Sequence, residues 1–240
     1  PAVKILYDAT PLLMRSAGVK NYHYALLTHL LPAIAPHSIE LFPFLRSPGA
    51  NRNEGSNYPP VATAARLAMV LAANYLRFPL GRWAARGADL FHVTHHLMHP
   101  PAGIRLTSFV HDPTPWLMRE FHTASNVRYF RSFAENVLPR LADVLVPSEA
   151  VKKDLVEQLG VAGQRITVVP HGVEDHFFVP GEVERRYILT LGAMEPRKNL
   201  PALLAAYRLL PEQLRRAYPL VVAGASGWKN AELRAQAEAT

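Results

Sequence analysis

Four short stretches hold residue types that could do chemistry. In "LGAMEPRKNLPALL", residues 191–204, Arg197 and Lys198 stand between a strand-like apolar run and a helix-period one. A helix N-terminus already carries roughly half a positive charge and unpaired N–H groups, so cations placed there call for an anion between them. "HVTHHLMH" puts His92, His95, His96 and His99 at spacings able to share a helical face and bind zinc. It follows a strand and runs into Pro100-Pro101, which disfavours a helix, so we read His95 and His96 as a strand-end loop facing a crevice and assign no metal. "TSFVHDPTPW" places His111-Asp112 at the end of another strand, where Asp112 either caps the turn or meets a ligand. In "RSAGVKNYHYALL", Gly18, Lys20 and Asn21 open the helix after the first strand, where backbone N–H groups can approach a phosphate or sugar. Arg15 and Lys20 read equally well as solvated charges.

These residues need strands to end beside one another. Apolar runs of strand length alternate with helix-period segments, the pattern of a parallel sheet covered by helices. Strands are expected near 3–8, 38–45, 89–93, 105–111, 143–147 and 166–170, with helices near 20–31, 61–77, 123–139 and 149–159. Ser148 is the expected N-cap of the last. This is an α/β, doubly wound domain over residues 1–170. Residues 171–186 read as a linker, and a second βαβ unit starts at 187, with a helix at 200–210 capped by Asn199 and ended by Pro211. Two strands and two helices leave edges and a face uncovered, so this second domain, 187–240, looks cut short. "NRNEGSNYPP", 51–60, reads as a mobile loop.

Composition removes several classes. The 240 residues are 49% hydrophobic, enough for a packed core, and there is no cysteine, which excludes disulfide scaffolds and thiolate chemistry. The sequence has no G-x-G-x-x-G, Walker, G-x-S-x-G or H-E-x-x-H pattern, and no Asp-x-Asp pair. The N-terminus reads as a strand rather than a leader, and the apolar run 61–76 is too short and polar for a span of roughly 20 residues, so a cytoplasmic location is expected. The net charge is +7, and residues 1–110 hold 10 Lys/Arg against 4 Asp/Glu while 111–240 hold 16 against 15. The basic first half, with Arg66, Arg77, Arg82 and Arg86 beside Leu, Met, Tyr and Trp83, suits an anionic membrane surface or a solvated face. No recognisable nucleic-acid motif accompanies it.

The ordered series "DLFHVTHH", "TSFVHDPTPW", "ADVLVPSEAVKKDL", "RITVVPHGVEDHF" and "YILTLGAMEPRKNLPALLAAYRLL" resembles the retaining GT-B glycosyltransferases of family 4, among them the mannosyltransferase-like group 1 enzymes of surface-polysaccharide synthesis. The resemblance implies two Rossmann-like domains, the first for the acceptor and the second for the nucleotide sugar. By motif match, Lys198 corresponds to the lysine on the donor diphosphate and Arg197 to its neighbouring cation. Gly18 matches a first-loop glycine near the donor phosphate or the acceptor, and His111 a histidine at the donor sugar. His95, His96, Asp112, Lys20 and Asn21 are then expected to face acceptor or sugar. Glu195 orients one of the cations. The implied donor is a nucleotide sugar, GDP-mannose favoured, with no cofactor or metal. The acceptor is a saccharide or a polyprenyl-diphosphate-linked saccharide. Two departures stand out: Ala193 follows the strand glycine where many relatives have arginine, and His171 stands where many have asparagine. A GT-B nucleotide-sugar epimerase, an inactive fragment and a basic binding module are the alternatives.

Overall fold

Alternate residues of each strand go to opposite faces of the sheet, and both faces here are apolar enough to need a cover. The computed structural model describes residues 1–15, 18–52, 55–76, 78–178 and 186–224. Two compact units divide at Gly172 and Val173.

In the first unit six strands, β1 (Lys4–Asp8), β2 (Ser38–Phe42), β3 (Leu90–Val93), β4 (Arg105–Phe109), β5 (Asp143–Val146) and β6 (Ile166–Val168), form one sheet in the order β2-β1-β3-β4-β5-β6. Every pairing is parallel. One face presents Leu6, Phe91, Leu106 and Val144 to a buried cluster with Val70, Leu80, Phe133 and Leu155. These come from α2 (Pro60–Tyr75), α3 (Leu80–Ala84), α5 (Ala124–Asn136) and α6 (Glu149–Leu159), with α4 (Thr114–Leu117) a single short turn before α5. The opposite face carries Tyr7 and Leu41 against Leu27 of α1 (Gly18–Ala33). The sheet is therefore wound on both sides, as the alternating pattern requires. Ser148 caps α6 as expected, its Oγ accepting from Val151 N at 3.3 Å.

The second unit pairs β7 (Ile188–Leu191) with β8 (Leu220–Ala223) in parallel through α7 (Leu200–Arg208) and α8 (Glu212–Ala217). The helix-like reading at 229–240, residues 179–185 of the linker, and Arg77 lie outside the described residues.

Asn199 does hold the N-cap position of α7, its carbonyl receiving Ala202 N at 3.2 Å, but its side chain makes no cap bond: it sits in the left-handed region at φ 49°, after a 3-10 turn over Pro196–Lys198. Asparagine tolerates that conformation better than most residues. The stretch 51–60, read as a mobile loop, is tied down at its described residues. Asn57 is buried and laces it, donating to Pro48 O at 3.2 Å and accepting from Arg52 N at 3.2 Å, while its own N–H reaches Leu12 O at 2.9 Å. Asn53 and Glu54 are outside the described residues.

Candidate functional site

From β1 the chain runs to β2 on one side of the sheet, and β3 lies on the other side. Loops leaving the carboxyl ends of β1 and β3 therefore part company, and in open α/β sheets this is where ligands collect. A buried carboxylate holds the two loops in register. Asp8, at the end of β1, accepts from Thr10 N at 3.1 Å and Thr10 Oγ1 at 2.5 Å on one oxygen, and from Thr94 N at 3.1 Å and Thr94 Oγ1 at 2.5 Å on the other. All four bonds are made out of water, so the charge is satisfied locally and the loop after β3 is pinned to the loop after β1.

Below this clasp, on the α1 face, lies a layer of polar rings. Tyr7 stacks on His92 with ring centres 5.0 Å apart, and His92 Nδ1 lies 3.0 Å from Thr107 Oγ1. Tyr7 Oη lies 2.5 Å from His23 Nδ1 of α1. Burial raises the Tyr7 hydroxyl well above its ordinary pKa and lowers His23 well below its own. Both groups are therefore neutral, and the bond between them joins two uncharged rings. Above the layer, Tyr22 of α1 packs on Phe109 at 4.8 Å, His111 at 4.6 Å and His171 at 4.8 Å, and His171 stacks on Phe109 at 5.4 Å.

The expected site residues divide on this geometry. His95 and His96 do lie in the loop after β3, their ring centres 4.0 Å apart. That loop is also held by Asn74, which donates to His96 O at 2.8 Å and accepts from Met98 N at 2.9 Å. Burial is the main cause that takes His95 down to about 3 and His96 to about 4. His111, at the end of β4, falls to about 4, chiefly through burial and then through His171 and His95. Its Nε2 is buried without a hydrogen-bond partner among the described residues, and so is Oδ1 of Asn21 in the first turn of α1. These are two polar atoms ready for a ligand. Gly18 opens α1, and a Cβ there would meet open space.

Asp112 and Lys20 are spent elsewhere. Asp112 Oδ1 accepts from Thr114 N at 3.0 Å and from Thr114 Oγ1, closing the turn that leads into α4. Lys20, expected to face sugar or acceptor, is fully buried instead. Its ammonium donates to Arg52 O and to Gly55 O at 2.6 Å, so its charge ties the 47–58 loop to α1.

In the second unit, Glu195 is buried and its Oε2 accepts from Arg197 Nε at 2.7 Å, which fixes the guanidinium. The Lys198 side chain crosses Gly192, with Cε 3.7 Å from where a Cβ would stand. Among the described residues its ammonium makes no ion pair. Arg197 and Lys198 ride on the 3-10 turn, one step before the first turn of α7. At the strand ends the backbone closes up: a Cβ on Gly224 would lie 2.0 Å from Gly192 O.

Sequence reading missed Asp8, Thr94 and Tyr22, and gave His171 no partner. Asp8-Ala-Thr10 and Asp112-Pro-Thr114 share one spacing and one bond pattern, so Asp-x-Thr after a strand was the available signal for the first. Tyr22 and His171 meet across the chain, and nothing local announces that.

A parallel sheet with its switch-point loops clasped, followed by a second βαβ unit that opens on paired cations, is the architecture of a GT-B glycosyltransferase. The fold matches the crystal structure of Anabaena HepE in complex with UDP, with a TM-score of 0.58 and 15% identity over 99% of this chain and 66% of that one. The chain belongs to Glycosyltransferase Family 4, whose sequence profile matches residues 17–177, and the profile of Glycosyl transferases group 1 matches 173–240. It is 24% identical over 250 residues to the Escherichia coli O-antigen chain mannosyltransferase B, covering 95% of this chain and 66% of the relative. It is 30% identical over 129 residues to the Escherichia coli serotype-specific mannosyltransferase WbdA, covering 47% of this chain and 16% of that protein. The chain thus spans less than two thirds of the length of these curated relatives. No helix among the described residues is long and apolar enough to cross a membrane.

Proposed function

We propose that this chain carries the acceptor-side unit and the donor-diphosphate turn of a retaining hexosyltransferase that works without a metal. Mannose is the favoured sugar and GDP-mannose the favoured donor, on the strength of two relatives named as mannosyltransferases. The acceptor is a saccharide or a polyprenyl-diphosphate-linked saccharide of a surface polysaccharide, met in the cytoplasm at the inner face of the plasma membrane.

The observation that carries the reading is Lys198: an ammonium without an ion-pair partner among the described residues, laid over Gly192 at the carboxyl end of β7 beside a guanidinium already fixed by Glu195. Preorganised cations act where negative charge develops, here on the departing diphosphate. The bond from the anomeric carbon to phosphate breaks while the bond to the acceptor oxygen forms on the same face, and the acceptor proton passes to the leaving phosphate oxygen. Within the first unit, His111 and Asn21, whose buried Nε2 and Oδ1 lack a hydrogen-bond partner among the described residues, are suited to hydrogen-bond saccharide hydroxyls.

Replacing Lys198 by Ala in the full-length enzyme is expected to raise the donor KM and lower kcat by about 100-fold. Unchanged kinetics with every nucleotide sugar would overturn the assignment. A thermal-shift series with GDP-, UDP- and dTDP-sugars ranks the donors, the stabilising one binding only the native state.

A further inference from the structure

The first unit also has a concavity of about 480 Å³ that His95, His96 and His111 do not line, although Met98 of the loop after β3 reaches it. It is formed by the end of α2, by α3, by residues 98–101 and by the end of α5. Arg82, Arg140 and His99 bring nitrogen donors to it, Phe78 and three prolines form apolar walls, and no carboxylate lines it. Arg140 is held in place by its bonds to Pro100 O at 3.2 Å and Pro101 O at 2.8 Å, which leave its remaining N–H groups over. Arg82 has no ion-pair partner among the described residues, and the same is true of Arg86.

Phe78 lines the hollow, Trp83 packs on Phe78, and Leu76 lies two residues before Phe78 in the chain; all three are exposed. Leu76 is 79% exposed, Trp83 53% and Phe78 47%, and the Phe78 and Trp83 rings meet edge to face at 5.7 Å. Between Pro60 and Ala88 there is no Asp or Glu, against Arg66, Arg77, Arg82 and Arg86. Isolated exposed apolar residues need no explanation, but a cluster of them beside a cationic hollow does. A free phosphate would find cations here and no use for the apolar side chains. A neutral apolar partner would leave the arginines unpaired. An anionic lipid leaflet meets both requirements, with the apolar side chains entering the acyl boundary and a headgroup phosphate entering the hollow.

We infer that this face docks on an anionic lipid surface, with Arg82 and Arg140 forming a headgroup-phosphate subsite beside the exposed Leu76, Phe78 and Trp83. The inference deepens the reading of a membrane-borne acceptor, yet vesicle binding without donor or acceptor tests it separately from Lys198.

The experiment is flotation of the full chain with vesicles of phosphatidylcholine alone or with an equal share of phosphatidylglycerol, at low and high salt. The chain is expected to float with the anionic vesicles only, and to lose that binding in high salt. Arg86→Gln, a charge outside the hollow, should weaken partitioning about fivefold, as expected for one arginine near an anionic surface. Arg82→Gln should weaken it clearly more, and Trp83→Ser should lower the low-salt binding as well. All three side chains are exposed, so unchanged circular dichroism melts are expected to accompany the losses. Equal binding to both vesicle types overturns the surface, as does no binding to either. Equal losses for Arg82→Gln and Arg86→Gln overturn the subsite. Tighter, Arg82-dependent binding of a labelled oligonucleotide assigns the patch to another partner and overturns the lipid.

Discussion

Acidification is expected to unfold the first unit through its buried imidazoles, and His92 allows the size to be worked out. It is 8% exposed, held between Tyr7 and Thr107, with His111 near enough that protonating either ring opposes protonating the other. Burial is the larger cause that lowers it from 6.5 to about 4. A group depressed on folding contributes stability that is complete above its unfolded pKa and is lost as pH falls through its folded one. The window therefore opens below 6.5 and closes near 4. Within it His92 alone costs about 1.4 kcal/mol per pH unit, or ~3 kcal/mol across the whole fall. His95, His96 and His111 titrate in the same direction over overlapping ranges, so the wild-type slope is steeper than one histidine gives. Native stability is of the order of 5–15 kcal/mol, so loss of structure is expected well before pH 4. The assay is urea unfolding at half-unit pH steps from 7.5 to 4.5, reported by the near-ultraviolet signal of the tyrosines, beside His92→Asn. The variant should be less stable at pH 7 but should show a slope lower by about 1.4 kcal/mol per pH unit. Equal stability at pH 7 and pH 5 in the wild type refutes the reasoning, and so does an unchanged slope in the variant.

Three more outcomes follow from single positions. Gly18→Ala should leave the melting temperature within a degree or two, since a Cβ there meets open space, while lowering transfer activity if the loop approaches a phosphate or sugar. Gly224→Ala should destabilise the second unit by about 1–3 kcal/mol, because its Cβ would collide with Gly192 O at a φ of +153°, and hydrogen exchange of the β7 and β8 amides would register it. Lys20→Met should release the carbonyls of Arg52 and Gly55, and trypsin should then cut after Arg52 at least tenfold faster than in the wild type.

The layered sheet was legible because its signal is local. Strand-length apolar runs and the Ser148 cap can be read residue by residue, and all six expected strands of the first unit form within a few residues of their expected ends. The loop at 51–60 misled because Gly, Asn and Pro write the same sequence for a loose loop and for one laced by Asn57. Lys20 misled for a related reason: a lysine at the start of a helix usually extends into solvent, and only the return of residues 52 and 55 encloses it. Asn199 is a question of backbone. The same residue type serves a side-chain cap or a left-handed hinge, and Pro196 starts a 3-10 turn that selects the hinge. Of the candidate site, His95, His96 and His111 could be placed at strand ends from the sequence. That His171 would join Phe109 and Tyr22 could not, because that contact depends on how far β6 carries the chain before it turns.

The Asp8 clasp has a consequence for how such an enzyme could be retuned. Because one carboxylate receives Thr10 on one oxygen and Thr94 on the other, the loops after β1 and β3 share a single mechanical anchor. A change that slackens either threonine passes to the other loop, so substitutions at Thr10 and Thr94 should be non-additive in a double-mutant cycle. Libraries that diversify one loop alone would sample only half of a coupled pair; varying the 10–15 and 94–99 segments together is the search this anchor recommends.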